Sequence, residues 1–241
     1  IADVSENGNL NLHNGATLVQ ATNSAGLYSV GLQGAGSTGG NVAVSGVAVV
    51  NAGTQDAEAT FEGTDKDHKT EVENAGDVKV EAENTSKEYA IAGNAAAGTS
   101  KVAVGAGVAY NDIGGPTTNA AKAQKAVATL SNVKFTNPVE NSSVDVISKD
   151  DGKILAVAAG VSVGKGVAVQ GSAAVGLINK DTRSTVKNVN YGEVDINFDQ
   201  IAIPVDGSNT YTTSQWGKIP TMNSVTYAFA TSGGSREQQD V

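Results

Sequence analysis

The sequence predicts an all-β fold, a parallel β-solenoid. Three observations carry that reading: apolar residues that alternate over long stretches, a long internal repeat, and a core assembled from small side chains. Val78, Val80 and Ala82, and again Val102, Val104, Ala106 and Val108, occupy every second position. That is the period of a strand with one buried face. Of the 241 residues, 39% are hydrophobic but only 5% aromatic, and 29 are Gly. The apolar volume is therefore mostly Ala and Val, which suits walls that lie close together.

The repeat emerges by self-comparison. Residues 17–31 (TLVQATNSAGLYSVG), 78–92 (VKVEAENTSKEYAIA) and 144–158 (VDVISKDDGKILAVA) align at offsets of 61 and 66. Gly-bounded runs at 42–51, 102–111 and 167–176 align at offsets of 60 and 65. Two anchors that keep one spacing make three copies, starting near residues 15, 76 and 142, within a repeat domain over 1–193. Each first anchor reads as a strand, a polar turn (23–26, 84–87 and 149–152) and a second strand. Coils of roughly 20–25 residues, about 4.8 Å apart, would give about ten and a rod on the order of 50 Å.

Residues 117–130 carry Ala, Lys and an Asn119 cap that favour helix on propensity. Their repeat partners, 56–62 and 181–187, alternate and carry Thr, so the expectation for all three is strand. The rival architecture is an antiparallel β-sandwich. Against it, Asn-Gly and Asp-Gly hairpin signals are few, confined to terminal or coil-length sites such as 14–15, 151–152 and 206–207. Beyond Val194 the residues grow larger, and 194–241 reads as an irregular final coil, a cap or a projecting loop. Tyr211 and Trp216 in this part are candidate ligand contacts, or a plug on the end of the stack.

Charge and composition exclude several functions. Sixteen basic residues against 25 acidic ones give a net charge of −9, which argues against a nucleic-acid partner. With no cysteine there are no disulfides, thiolate metal sites or Cys nucleophiles. No apolar run is long enough to insert in a membrane as a helix. The chain opens IADVSE, without an initiator Met or a signal segment, and is expected to be a fragment of a longer protein.

The strings VKVEAENTSKEYAIAGN and VAVGAGVAYN resemble the repeats of large bacterial surface proteins, the leukotoxin-like filamentous adhesins and autotransporter passengers of Gram-negative bacteria. The resemblance covers roughly residues 15–190. It implies a right-handed parallel β-helix, export to the cell surface or outside the cell, and attachment to host cells or matrix. It supplies no functional residues.

A polysaccharide-cleaving β-helix would need paired carboxylates within about 10 Å. Arg183 and Arg236 are isolated, and His13 and His68 lie far apart. The densest acidic spots, 65–68 and 149–152, read as solvated loops, and the acidic stretch from Asp65 to Glu83 as a solubilising surface. Glycine-rich calcium repeats and EF-hand spacing are missing, and Gly31, Gly34 and Gly36 precede no helix. The expectation is a non-enzymatic adhesin segment with no catalytic, cofactor or metal residues, and a host protein or glycan as partner. A stray surface Ca²⁺ stays open. A purely structural stalk and a carbohydrate-active enzyme are the alternatives.

Overall fold

Alternating Val, Ala and Thr residues build strands whose partners are their own repeat copies. The computed structural model describes residues 2–5, 9–11, 15–39, 41–98, 102–115, 122–192, 194–202, 210–221 and 224–240. For 2–11, Gly98 and everything from residue 194 on, only the backbone is described. The fold is all-β, and its sheets are mainly parallel.

Sheet B holds the longest strands, β3 (Thr17–Ser37), β7 (Val78–Gly98) and β11 (Ser143–Val163), each of 21 residues. Thr17 pairs with Val78 and Val78 with Val144, reproducing the first sequence alignment residue for residue. Sheet C holds β4 (Val42–Gly53), β8 (Val102–Ile113) and β12 (Val167–Ile178), with Val42 opposite Val102 and Val102 opposite Val167. Sheet A collects the remaining strands of each copy. Its first ladder runs β1 (Ala2–Ser5), β5 (Asp56–Glu62), β9 (Gln124–Ser131) and β13 (Lys180–Tyr191). The second runs β2 (Asn9–Asn11), β6 (Thr70–Glu73), β10 (Val133–Thr136) and the far half of β13. The ambiguous segment is thus strand over Gln124–Ser131, in register with both of its repeat partners.

Two expectations are corrected. One layer takes a whole repeat, since hydrogen-bonded neighbours in sheet B are 61 or 66 residues apart, so coils of 20–25 residues and a rod of ten do not form. At about 3.3 Å per residue, a 21-residue strand runs on the order of 65 Å, so each layer is broad. Residues 23–26, 84–87 and 149–152 are not turns. They lie inside β3, β7 and β11, because in-register parallel partners hold the backbone extended. These polar residues mark the point at which sheet B leaves one core and enters another.

The first core packs the leading half of sheet B against sheet A, with Val80, Val146, Phe61, Leu130, Phe135 and Tyr191 buried. The second packs its trailing half against sheet C through Ala90, Ala92, Ala156 and Ala158 facing Val49, Ala109 and Ala174. Small residues are required here. A Cβ on Gly31 would come within 2.8 Å of Val47 and 2.6 Å of Val49. Between the cores, Asn51 donates to Asn111 Oδ1 at 2.9 Å, and Asn111 donates to the Leu155 carbonyl at 2.7 Å. A second amide ladder makes the corner between the halves of sheet A. Asn132 and Asn188 sit at a φ of 53°, a conformation Asn tolerates. Asn188 donates to Asn132 Oδ1 at 3.0 Å, and Asn132 donates to the Gly63 carbonyl at 3.1 Å.

Past Val194 the described backbone turns antiparallel. β14 (Val194–Ala202) lies along β13. β16 (Ser224–Asp240) adds to β11 as a parallel strand and carries β15 (Thr210–Thr221) antiparallel on its other edge.

Candidate functional site

The aligned copies disagree in chemistry at one inter-sheet level. Leu27, Glu88 and Ile154 form one inward column of sheet B, so a carboxylic acid stands between two aliphatic side chains. In sheet C, Ala52, Asp112 and Leu177 form a column with the same substitution pattern, on the face that carries Tyr110. Glu88 is 3% exposed and Asp112 7%, so both acids are buried in the middle layer. The Asp112 backbone N–H donates to Glu88 Oε2 at 3.0 Å, and Tyr110 donates its hydroxyl to Asp112 Oδ2 at 3.0 Å. Asp112 Oδ1 is buried without a hydrogen-bond partner.

Burial sets the charge state. Loss of water, with the Asp112 charge adding to it, pushes the Glu88 carboxyl up to about 7, against the pull of the Asp112 N–H. The Tyr110 hydroxyl is pushed up as well, by burial and by its bond to Asp112. Asp112 also lines a hollow of about 290 Å³ with Gly53, Thr54, Gly115 and Lys122. The arrangement offers a carboxylate and an ammonium group on a polar hollow. Behind them stands a second acid that exchanges its proton near neutrality.

Neither acid stands out in the sequence, because each sits in an alternating strand beside other polar residues. The signal lies in the alignment of the copies: Glu88 falls in a column otherwise Leu and Ile. The acidic spots that are conspicuous in the sequence resolve differently. Asp65 caps its own turn, accepting from the backbone N–H groups of Asp67 and His68 at 2.8 Å, in an exposed loop. His68 Nδ1 sits 3.0 Å from the same carboxylate, which raises the His68 pKa and lowers that of Asp65.

The reading of 149–152 as a solvated loop is overturned, since Asp150 is buried inside β11. Glu81, placed by sequence on a solvated acidic face, is nearly buried, between Lys79 at 2.9 Å and Lys149 at 3.4 Å. Arg183 pairs with Asp181. His13 lies outside the described residues, as do the side chains of Tyr211 and Trp216. Their backbones lie on β15, opposite Gly234 and Phe229 of β16. Among the described residues, no three His, Asp or Glu gather as a metal site, and no helix is long and apolar enough to cross a membrane.

A different surface is apolar where water would be expected. Outward-facing Tyr28, Val30 and Leu32 are 66%, 67% and 78% exposed, on the trailing half of β3. The Tyr28 ring stacks on Tyr89 of the next layer, with centroids 5.1 Å apart. Beside them runs an open groove of about 450 Å³, lined by Leu32, Gly34, Ala95 and Val161 among others. Fold and surface together define an all-β repeat protein of in-register parallel layers. Compared with protein-family models, curated proteins and solved structures, the chain gives no match.

Proposed function

We propose that this chain is a non-catalytic segment of a secreted or surface-displayed bacterial adhesin, built as a right-handed parallel β-helix with one repeat per coil. Its partner would be a host-cell surface protein or glycan. The observation that carries this reading is the exposed aromatic and aliphatic face of β3, β7 and β11. Tyr28 stands open to water on Tyr89, and an apolar groove lies alongside. Contiguous exposed apolar surface marks interaction sites, and tyrosine is among the residues that anchor them. Parallel layers 61 and 66 residues apart support the β-helix, because each copy returns to lie directly beside the last.

The test is binding of the purified chain to arrays of glycans and host extracellular proteins. Tyr28→Ser with Leu32→Ser should weaken any hit by about tenfold, the scale of a lost interface anchor. Trp216→Ala in the same series tests the candidate contact read from sequence. No binding to any array would favour the stalk, a segment without its own ligand.

The enzyme alternative has one observation in its favour, the Glu88–Asp112 pair beside a polar hollow. Glu88 does not line the hollow, which leaves Asp112 as its one acid where general acid–base cleavage of a glycoside uses two. Polysaccharide cleavage abolished by Asp112→Asn would revive it.

A further inference from the structure

At the junction of sheets A and B the third copy holds a lysine and a carboxyl group where the second holds two amides. Asn84 and Asp150 share one column of sheet B, and Gln124 and Lys180 are partners in sheet A. Lys180 Nζ lies 3.2 Å from Asp150 Oδ1, with both side chains 0% exposed, and 3.1 Å from the Asp150 backbone oxygen. Gln124 Nε2 donates to the same Oδ1 at 2.8 Å and to Ser86 Oγ at 3.0 Å. Asp150 Oδ2 has no hydrogen-bond partner. A Cβ at residue 152 would fall 3.0 Å from Lys180 Cε and 3.1 Å from Nζ, so Gly152 leaves the room that seats the amine on Asp150.

We propose that Lys180 and Asp150 form an intramolecular isopeptide site, at which Lys180 Nζ condenses with Asp150 Cγ to give an amide cross-link between β13 and β11. The N–Cγ bond forms and the Cγ–Oδ2 bond breaks. Oδ2 leaves as water, carrying the acid's proton and one from the nitrogen, so no oxidant or cofactor enters. The reaction needs an uncharged amine and an uncharged acid. Burial moves both groups that way, lowering the Lys180 pKa and raising that of Asp150. The amine is already held against the carboxyl group it would attack, with Nζ 3.2 Å from Oδ1, so little motion separates it from Cγ. As the nitrogen adds, negative charge grows on Oδ1, the atom that the Gln124 amide already faces. A buried ion pair maintained for its charge is expected to satisfy both carboxylate oxygens, and here one has no partner. The cross-link would tie sheet A to sheet B and enclose β12.

The test is the intact mass of the purified full chain, followed by proteolytic mapping. The expected result is a mass below that of the sequence by one water, with a branched peptide joining the segments that carry Asp150 and Lys180. Lys180→Met and Asp150→Ala should both return to full mass. A wild-type chain at full mass overturns the proposal. So does a lost water that maps to a succinimide at Asp151–Gly152. The wild-type measurement decides even where a variant fails to fold.

Discussion

Glu88 shows how one side chain can set the pH response of the molecule. Its carboxyl ionises near 7 in the folded chain, against 4.5 when solvated, because burial and Asp112 both oppose the charge. The folded state therefore binds the proton more tightly than the unfolded one. The stabilisation is complete below about 4.5, declines as the pH rises to about 7, and is flat above it. Its size is on the order of 3 kcal/mol, at roughly 1.4 kcal/mol for each pH unit that separates folded from solvated ionisation. The groups facing Glu88 from the packed strands are Asp112 and Tyr110 of β8, while Leu27 and Ile154 flank it in its own sheet. Glu88→Gln should reduce the slope in melting temperature between pH 4.5 and 7 and raise the melting point at pH 8. A variant whose melting curve keeps the wild-type slope would locate the titration elsewhere.

Elements in this protein are specified by columns, and the columns explain what the sequence could reveal. In chains whose amide has not formed, Lys180→Met leaves the Asp150 carboxyl buried without its partner, which should cost about 3–5 kcal/mol. Asp150→Asn combined with Lys180→Gln copies the Asn84 and Gln124 pair of the second copy and should recover most of that loss in the urea midpoint. Failure of the pair to recover would mean that the third layer depends on the Lys180–Asp150 link itself.

Strand type and the repeat were legible, because Val falls at every second position and two anchors share their offsets; that one layer takes a whole repeat was not, since alternation alone also fits coils of 20–25 residues. The strand at Gln124–Ser131 was legible only through its partners, since its Ala and Lys content favours helix. The polar residues of 149–152 read as a turn because nothing local distinguishes a polar turn from a polar ladder between two cores. Glu88 and Asp112 were invisible for the same reason: burial at an inter-sheet junction is a property of the stack, and the strand alone does not carry it.

At the scale of the whole molecule, stability should follow position in the stack. β7 lies between β3 and β11, β8 between β4 and β12, and β9 between β5 and β13, so the second copy has a hydrogen-bonded layer on both sides in all three sheets. Val78, Val80, Ala90 and Ala109 of that copy are 0% exposed, whereas Leu27 of the first is 37% exposed. Repeat stacks are held by nearest-neighbour interfaces, so an interior layer opens only when a neighbour opens with it. Native-state hydrogen exchange should therefore be slowest in β7 and β8. Among amides hydrogen-bonded to a neighbouring strand, those of β3 and β4 should exchange about tenfold faster or more, because the end layer can fray alone. The Asn51–Asn111 ladder binds these two layers between the cores, and Asn111→Ala would remove the side-chain donor to the Leu155 carbonyl and one of the partners of Asn51. That single change should bring the exchange rates of β8 toward those of β4 while leaving β9 protected, since sheet A keeps its own core. Equal rates across all three layers in the wild type would mean that the chain opens as one unit, with no nearest-neighbour hierarchy.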